Sequence, residues 1–174
     1  MRRLCAVLAA LTCIAFPGRL PAEDKPTAAN KLAPLERFAG EWVVDGKWST
    51  GEALHARGVY EWGVNKKILK AKTFVMNGDK EYQRYESIMA WHPEKKSLYE
   101  ITFVFDGDIH EVLIDAKDKD TLHIGWRPFK EGQPSPVHQI LKFLDDDHFQ
   151  WTVSMKSGDT WKQLIDATWV RKGK

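Results

Sequence analysis

From Trp42 to Val170 the chain alternates apolar and polar residues in short runs, with a period of two rather than 3.6. Just before this stretch, Pro34 suits the first turn of a helix. Leu35 and Phe38 share one side of it, and Gly40 suits its end, so the spacing predicts a short helix of about two turns at most. An alternating strand follows, with Trp42, Val44, Gly46 and Trp48 on one face. Clusters of turn residues then recur at short intervals: Ser49-Thr50-Gly51, Gly63 to Asn65, Asn77-Gly78-Asp79, His92-Pro93, Asp106-Gly107, Lys117 to Asp120, Gly132 to Pro136, Asp145 to Asp147 and Ser157-Gly158-Asp159. Nine breaks leave ten strands. None of the connections has room for a crossover helix, so neighbouring strands should pair as antiparallel hairpins. A ten-stranded open sheet would expose two long edges, and closure removes both. The expected fold class is all-β: an antiparallel meander barrel of about ten strands with a short N-terminal helix.

Strand alternation sorts the faces, because a slip of one residue exchanges them. The apolar set, expected inside, includes Trp42, Val44 and Trp48; Leu54, Ala56, Tyr60 and Trp62; Leu69, Ala71, Thr73 and Val75; Tyr85, Ser87, Met89 and Trp91; and Tyr99, Ile101, Phe103 and Phe105. It continues with His110, Val112 and Ile114; Leu122, Ile124 and Trp126; Val137, Gln139, Leu141 and Phe143; Phe149, Trp151, Val153 and Met155; and Trp161, Gln163, Ile165, Ala167 and Trp169. All eight tryptophans fall on this face. The opposite set is rich in Lys, Arg, Asp and Glu, with some apolar residues such as Ile68, Phe74 and Met76 on one strand. At Asp106-Gly107 the reading depends on the loop. A two-residue hairpin pairs Phe105 with Asp108 and keeps His110 inside, whereas a three-residue loop would turn Glu111 and Asp115 inward.

A barrel of ten strands is wider than the eight or so that side chains fill unaided, so an enclosed cavity is expected. Its polar fittings would be few, as in a site that buries an apolar ligand and orients it by a few hydrogen bonds. The expected ligand-binding residues are Tyr60, Tyr85, Tyr99, His110, Gln139 and Gln163, with Trp126 and Trp151 in the aromatic wall. The Pro-bounded loop Gly132 to Pro136 would stand at the mouth.

Charge and cysteine usage change the picture through the N-terminus. Arg2 and Arg3 precede a largely apolar run of thirteen residues, Leu4 to Phe16; Pro17-Gly18 then breaks the run, and Ala22 suits cleavage. Residues 1–22 therefore read as a signal peptide, residues 23–33 as a flexible linker, and 34–174 as one barrel domain, secreted or periplasmic. The apolar run is too short for a comfortable span, and no integral membrane segment is expected. Losing Arg2, Arg3 and Arg19 takes the formal charge from +2 to −1, and without a basic stripe nucleic acid is not an expected partner. Both cysteines, Cys5 and Cys13, go with the leader, leaving no thiol for a disulfide, metal site or nucleophile. Leu11-Thr12 before Cys13 poorly matches a lipobox, so lipidation is not the reading adopted.

The remaining residues carry no catalytic signature. The six histidines form neither H-x-H nor H-E-x-x-H, so no metal is expected. Asp145-Asp146-Asp147 lacks the spacing of a calcium loop, and no G-x-S-x-G or glycine-rich phosphate loop is present. A catalytic carboxylate pair would require Glu111 and Asp115 to face inward. Binding is accordingly expected before enzymatic activity.

Phe38-Ala39-Gly40-Glu41-Trp42, a short helix and then G-x-W opening the first strand of a meander barrel, resembles the calycin superfamily, which includes lipocalins, fatty-acid-binding proteins and nitrobindins. Within it the chain looks most like small bacterial exported proteins of a lipocalin-like domain of unknown function, which share a leader, G-x-W and a second strand ending in an aromatic pair such as Tyr60-Glu61-Trp62. The resemblance implies that Trp42 plugs one end of the barrel. Fatty-acid-binding proteins carry a helix pair where this chain has only Ser49-Thr50-Gly51, and lipocalins have eight strands followed by a helix. Nitrobindins share ten strands and short loops, but hold haem through a histidine near the end of the last strand; Thr160 to Val170 has none, leaving His110 or another histidine for that role.

The expected function is an exported barrel that binds a small, largely apolar molecule. The alternatives are a surface-acting interaction or structural module with a packed interior, and a haem-binding, nitrobindin-like protein.

Overall fold

Ten strands follow the short helix: β1 (Gly40–Lys47), β2 (Ala53–Gly63), β3 (Ile68–Asn77), β4 (Lys80–His92), β5 (Ser97–Val104), β6 (Ile109–Ala116), β7 (Thr121–Trp126), β8 (Val137–Phe143), β9 (His148–Ser157) and β10 (Thr160–Arg171). They come from a computed structural model that describes residues 31–126 and 136–173, Trp126 by its backbone alone. The signal peptide, most of the linker and the greater part of the Gly132 to Pro136 mouth loop lie outside the described residues.

Each strand pairs antiparallel with the next, and β10 returns to β1, closing the sheet. The closing seam sets Trp42 opposite Arg171 and Val44 opposite Trp169. Among the described strands, each therefore has a paired neighbour on both sides. The expected ten-stranded all-β barrel is the observed fold.

One end is shut by the segment before β1. Ala33–Phe38 is a single 3-10 helix with Pro34 in its first turn, and its buried Leu35 and Phe38 point into the barrel with Leu32. Trp42 is fully buried beneath it and donates its indole N–H to the Phe38 carbonyl at 2.7 Å. Phe38, Phe143 and Phe149 meet edge to face, with ring centroids 4.7 to 5.6 Å apart, the arrangement aromatic quadrupoles favour. The other end, where Trp48, the β3–β4 turn and the β5–β6 loop lie, has no such plug among the described residues.

Three strands depart from the simple alternation. In β5, Leu98, Glu100 and Thr102 face inward, while Tyr99, Ile101 and Phe103 face out. Directly opposed residues in an antiparallel pair share a face, and Thr102 sits opposite both Ser87 and His110. The cause is the β5–β6 loop. Phe103 pairs with Ile109 and the Val104 N–H donates to the Asp108 carbonyl, so the loop holds three residues, Phe105-Asp106-Gly107. Gly107 alone has a positive φ, +94°, whereas a two-residue type I′ turn would require it of Asp106 as well. The three-residue loop therefore forms, yet β5 takes up the slip and β6 does not: His110, Val112 and Ile114 stay inside, and Glu111 and Asp115 remain outside.

In β10 the pairing jumps between Gln163 opposite Ser154 and Ile165 opposite Val153, so Leu164 is the extra residue of a β-bulge. Ile165, Ala167 and Trp169 face inward as expected. Before the bulge the parity reverses, placing Trp161, 53% exposed, and Gln163 on the outside. A second bulge inserts Arg84 into β4, because Thr73 pairs with Tyr85 but Phe74 pairs with Gln83.

Candidate functional site

The strands enclose a cavity of about 250 Å³ between the aromatic floor and the unplugged end. Its wall is mostly apolar. Phe38 and Phe149 border it from below, and Ala71, Met89, Val112, Ile124, Leu141, Val153 and Trp169 form the sides. Small residues make this space: Ala56 and Ala71 line it, and Gly58 lets the Tyr60 ring lie back against β2, since a Cβ there would come 2.9 Å from the ring.

Five of the residues singled out in the sequence meet at this cavity: Tyr60, Tyr85, His110, Gln139 and Trp151. The Trp151 indole donates to Gln139 Oε1 at 2.8 Å, and its ring meets Trp48 and Trp169 edge to face. That bond fixes both side chains in the wall. Burial, reinforced by the charge of Glu100, pushes the Tyr60 phenol far above its ordinary value, so it remains protonated. His110 is buried, and desolvation lowers its pKa against the opposing pull of Asp108 and Asp106.

Two predicted residues are not at the site. Tyr99 lies on the outer face, where its hydroxyl donates to Glu111 and its ring packs against His92 and under Lys95, because of the slip in β5. Gln163 is exposed on the outside because of the bulge at Leu164. The backbone of Trp126 pairs with Val137 near the unplugged end; its side chain lies outside the described residues. Trp42 lies below the cavity floor and does not border it.

The slip in β5 also supplies residues that the alternation missed. Glu100 and Thr102 line the cavity together with Ser87. The Thr102 hydroxyl donates to Glu100 Oε1 at 2.8 Å, and Ser87 Oγ lies 2.6 Å from Thr102 Oγ1, a chain of hydroxyls ending on a carboxyl. Burial raises the Glu100 pKa, while the hydroxyls of Thr102 and Ser87 pull it down. At the rim, Arg84 donates to the hydroxyls of Tyr85 at 2.9 Å and Tyr82 at 3.2 Å, and its guanidinium lies over the Tyr85 and Phe105 rings. The signal that could have found Glu100 was the glycine of Asp106-Gly107 read as the last residue of a three-residue loop.

The floor is held by another residue the sequence reading did not single out. Arg171 donates to the carbonyls of Ala39, Arg37 and Asp146 at 2.8, 2.8 and 2.9 Å, and its Nε lies 3.0 Å from the Asp147 carboxylate. Asp145 to Asp147 thus serves as an acceptor loop for the plug. Among the described residues, no group of three or more His, Cys, Asp or Glu side chains is arranged to hold a metal, and no helix is long and apolar enough to cross a membrane.

No protein-family model matches the chain, and no curated protein matches it. Solved structures do. The S-type phycobiliprotein lyase CPES from Guillardia theta is 9% identical, with a TM-score of 0.52 over 85% of this chain and 94% of that one. A redesigned β-barrel is 14% identical, with a TM-score of 0.43 over 82% and 96%. EF1p2_mFAP2b bound to DFHBI is 12% identical, with a TM-score of 0.36 over 84% and 100%. At such identities the likeness to the lyase is one of fold, and the chain has a calycin-like barrel fold.

Proposed function

We propose that this protein is an exported member of the calycin superfamily that binds a small, largely apolar molecule inside its barrel. The observation that carries the reading is the interior itself: a cavity of about 250 Å³, floored by Phe38 and Phe149, walled by aliphatic and aromatic side chains, and fitted with a few polar groups that converge on it. Apolar cavities of this kind take up molecules by shape and by the transfer of apolar surface out of water. The leader-like pattern of residues 1–22 supports export, and the near-neutral charge of the remainder supports a partner other than nucleic acid. Tyr60, Tyr85, His110 and the Trp151–Gln139 pair would orient the guest, which enters past Trp48, Tyr85 and Arg84.

Native mass spectrometry of protein recovered from its own host tests this. A discrete adduct of small mass that is lost on gentle activation is expected, with an N-terminus near Glu23; a bare polypeptide that also takes up no added apolar compound would refute it.

A second reading, action through the surface, is favoured by one observation. The slip in β5 lays Phe103 beside Ile109 on the outer face, with Ile88 and Leu113 on the flanking strands, all at least 36% exposed. Haem has less support. Among the described residues His110 is the histidine that borders the cavity, but the volume falls below the ~300 Å³ at which pockets for drug-sized ligands begin.

A further inference from the structure

One polar feature of the interior is a carboxyl group, that of Glu100, which the hydrophobic pattern of its own strand argues against. With β5 set the other way, Tyr99, Ile101 and Phe103 would pack inside and Glu100 would reach water. Instead the chain leaves three largely apolar side chains outside and turns an acid into the apolar lumen, an arrangement that costs stability unless the carboxyl is matched. Pairing fixes this choice from both sides, through Ser87 opposite Thr102 on β4 and His110 opposite Thr102 on β6. Local rules broken without a structural gain are characteristic of functional sites.

What surrounds Glu100 says what would match it. From its own strand it receives the Thr102 hydroxyl, from β4 the influence of Ser87, and from β2 the Tyr60 phenol faces the same lumen. A carboxylate has about four acceptor sites, more than these hydroxyls fill. Arg84 is the one lysine or arginine among the described lining residues, and it sits at the rim engaged by the Tyr82 and Tyr85 hydroxyls. Tyr60, whose phenol feels the charge of Glu100, lines the same cavity, and Trp151 and Trp169 line its far wall, on strands across the barrel from β5; aromatic rings of this kind attract cations.

Resting on the reading of the interior as a binding cavity, we infer that the guest is a small organic amine or other N–H cation, whose positive nitrogen is received by Glu100 and Thr102 while its apolar body lies against the aromatic wall. A neutral or anionic guest of the same shape would leave the acid unmatched. The carboxyl contributes selectivity for the charged nitrogen; the wall holds any apolar body.

Two probes of one shape separate these statements: 2-phenylethylamine, cationic at pH 7, and the neutral 2-phenylethanol, titrated calorimetrically into the full-length protein and into Glu100→Gln. The expected result is an amine bound at least ~10-fold more tightly than the alcohol by the wild type, the scale of one charge-assisted hydrogen bond. In Glu100→Gln, whose amide presents a donor where the carboxylate accepted, that preference should disappear while the alcohol binds as before. Should Glu100→Gln fail to fold, Glu100→Met supplies the same test, and the wild-type comparison stands without either variant. If the alcohol binds but the amine binds no better, or if the preference survives loss of the carboxyl, the inference is overturned and the cavity reading stands. If neither probe binds, both fall.

Discussion

The guanidinium of Arg171 lies 4.1 Å from the centre of the Trp42 indole, across the seam where the last strand meets the first. One side chain thus covers the plug tryptophan, caps the carbonyls of Arg37 and Ala39 that end the 3-10 helix, and ties down the Asp145 to Asp147 loop. Sheet closure and end closure depend on the same residue.

Arg171→Ala should therefore destabilise the barrel by about 2–4 kcal/mol, because it strips partners from several carbonyls at once and uncovers Trp42. Arg171→Lys, which keeps the charge but not the planar fork, should lose less than Arg171→Ala yet more than a surface change. Urea denaturation followed by tryptophan emission measures both, and equal stability of all three proteins would contradict the clamp.

Gly40 belongs to the same arrangement. Its φ is +128°, and a Cβ there would come 2.7 Å from Arg171 Nη1. Gly40→Ala should cost roughly 1–3 kcal/mol through strain and displacement of the guanidinium. The pair should be non-additive: Gly40→Ala with Arg171→Ala should cost less than the two single changes together, because the clash is then gone. Additive losses would mean that the two residues act separately.

The folded-state pKa of Glu100 is raised above its ordinary 4.5, so the native protein holds this proton at pH values where the unfolded chain has released it. The contribution of Glu100 to stability thus falls as pH rises from about the ordinary value through the folded pKa, and is constant above it. Compared with Glu100→Gln in the empty protein, the wild type should lose relative stability over that window and regain it on acidification. His110 has the opposite sign. Its pKa is lowered by burial, so the difference between the wild type and His110→Gln should move against the wild type as pH falls through 6.5 towards the folded pKa. Parallel melting curves at each pH for either pair would contradict the assigned burial.

How much of this was legible follows from where the period of two holds. Ten strands, the closed meander and the inward faces of most strands were readable, because turn residues mark the breaks and one uninterrupted alternation sorts each strand. Tyr60, Tyr85, His110, Gln139 and Trp151 were found in this way. The misplacements share one cause, a single residue more or less. Leu164 as a bulge turns Gln163 and Trp161 outward, and Gly107 as the end of a three-residue loop turns Tyr99 outward and Glu100 inward. Local composition favoured the wrong face in both cases, since tryptophan, tyrosine and phenylalanine read as core. Arg171 was missed for a different reason: its partners are backbone carbonyls far away in sequence, and nothing in a pattern announces them.

The outer apolar stripe makes a separate prediction. Phe103 is 45% exposed and borders no part of the cavity, so Phe103→Lys should change folding stability by only about 0.5 kcal/mol or less. If the stripe is a contact surface, sedimentation should show association in the wild type that this change abolishes. A wild type that stays monomeric at high concentration would leave the stripe without such a role.

The central claim, that the interior receives a guest, is tested most directly by methyl NMR during titration with a neutral apolar probe such as toluene. Saturable shifts are predicted at Val112, Ile124 and Val153, which border the cavity, with the outer methyls of Ile109, Leu113 and Leu144 unmoved. Shifts confined to the outer methyls, or none at saturation of the solvent, would contradict it.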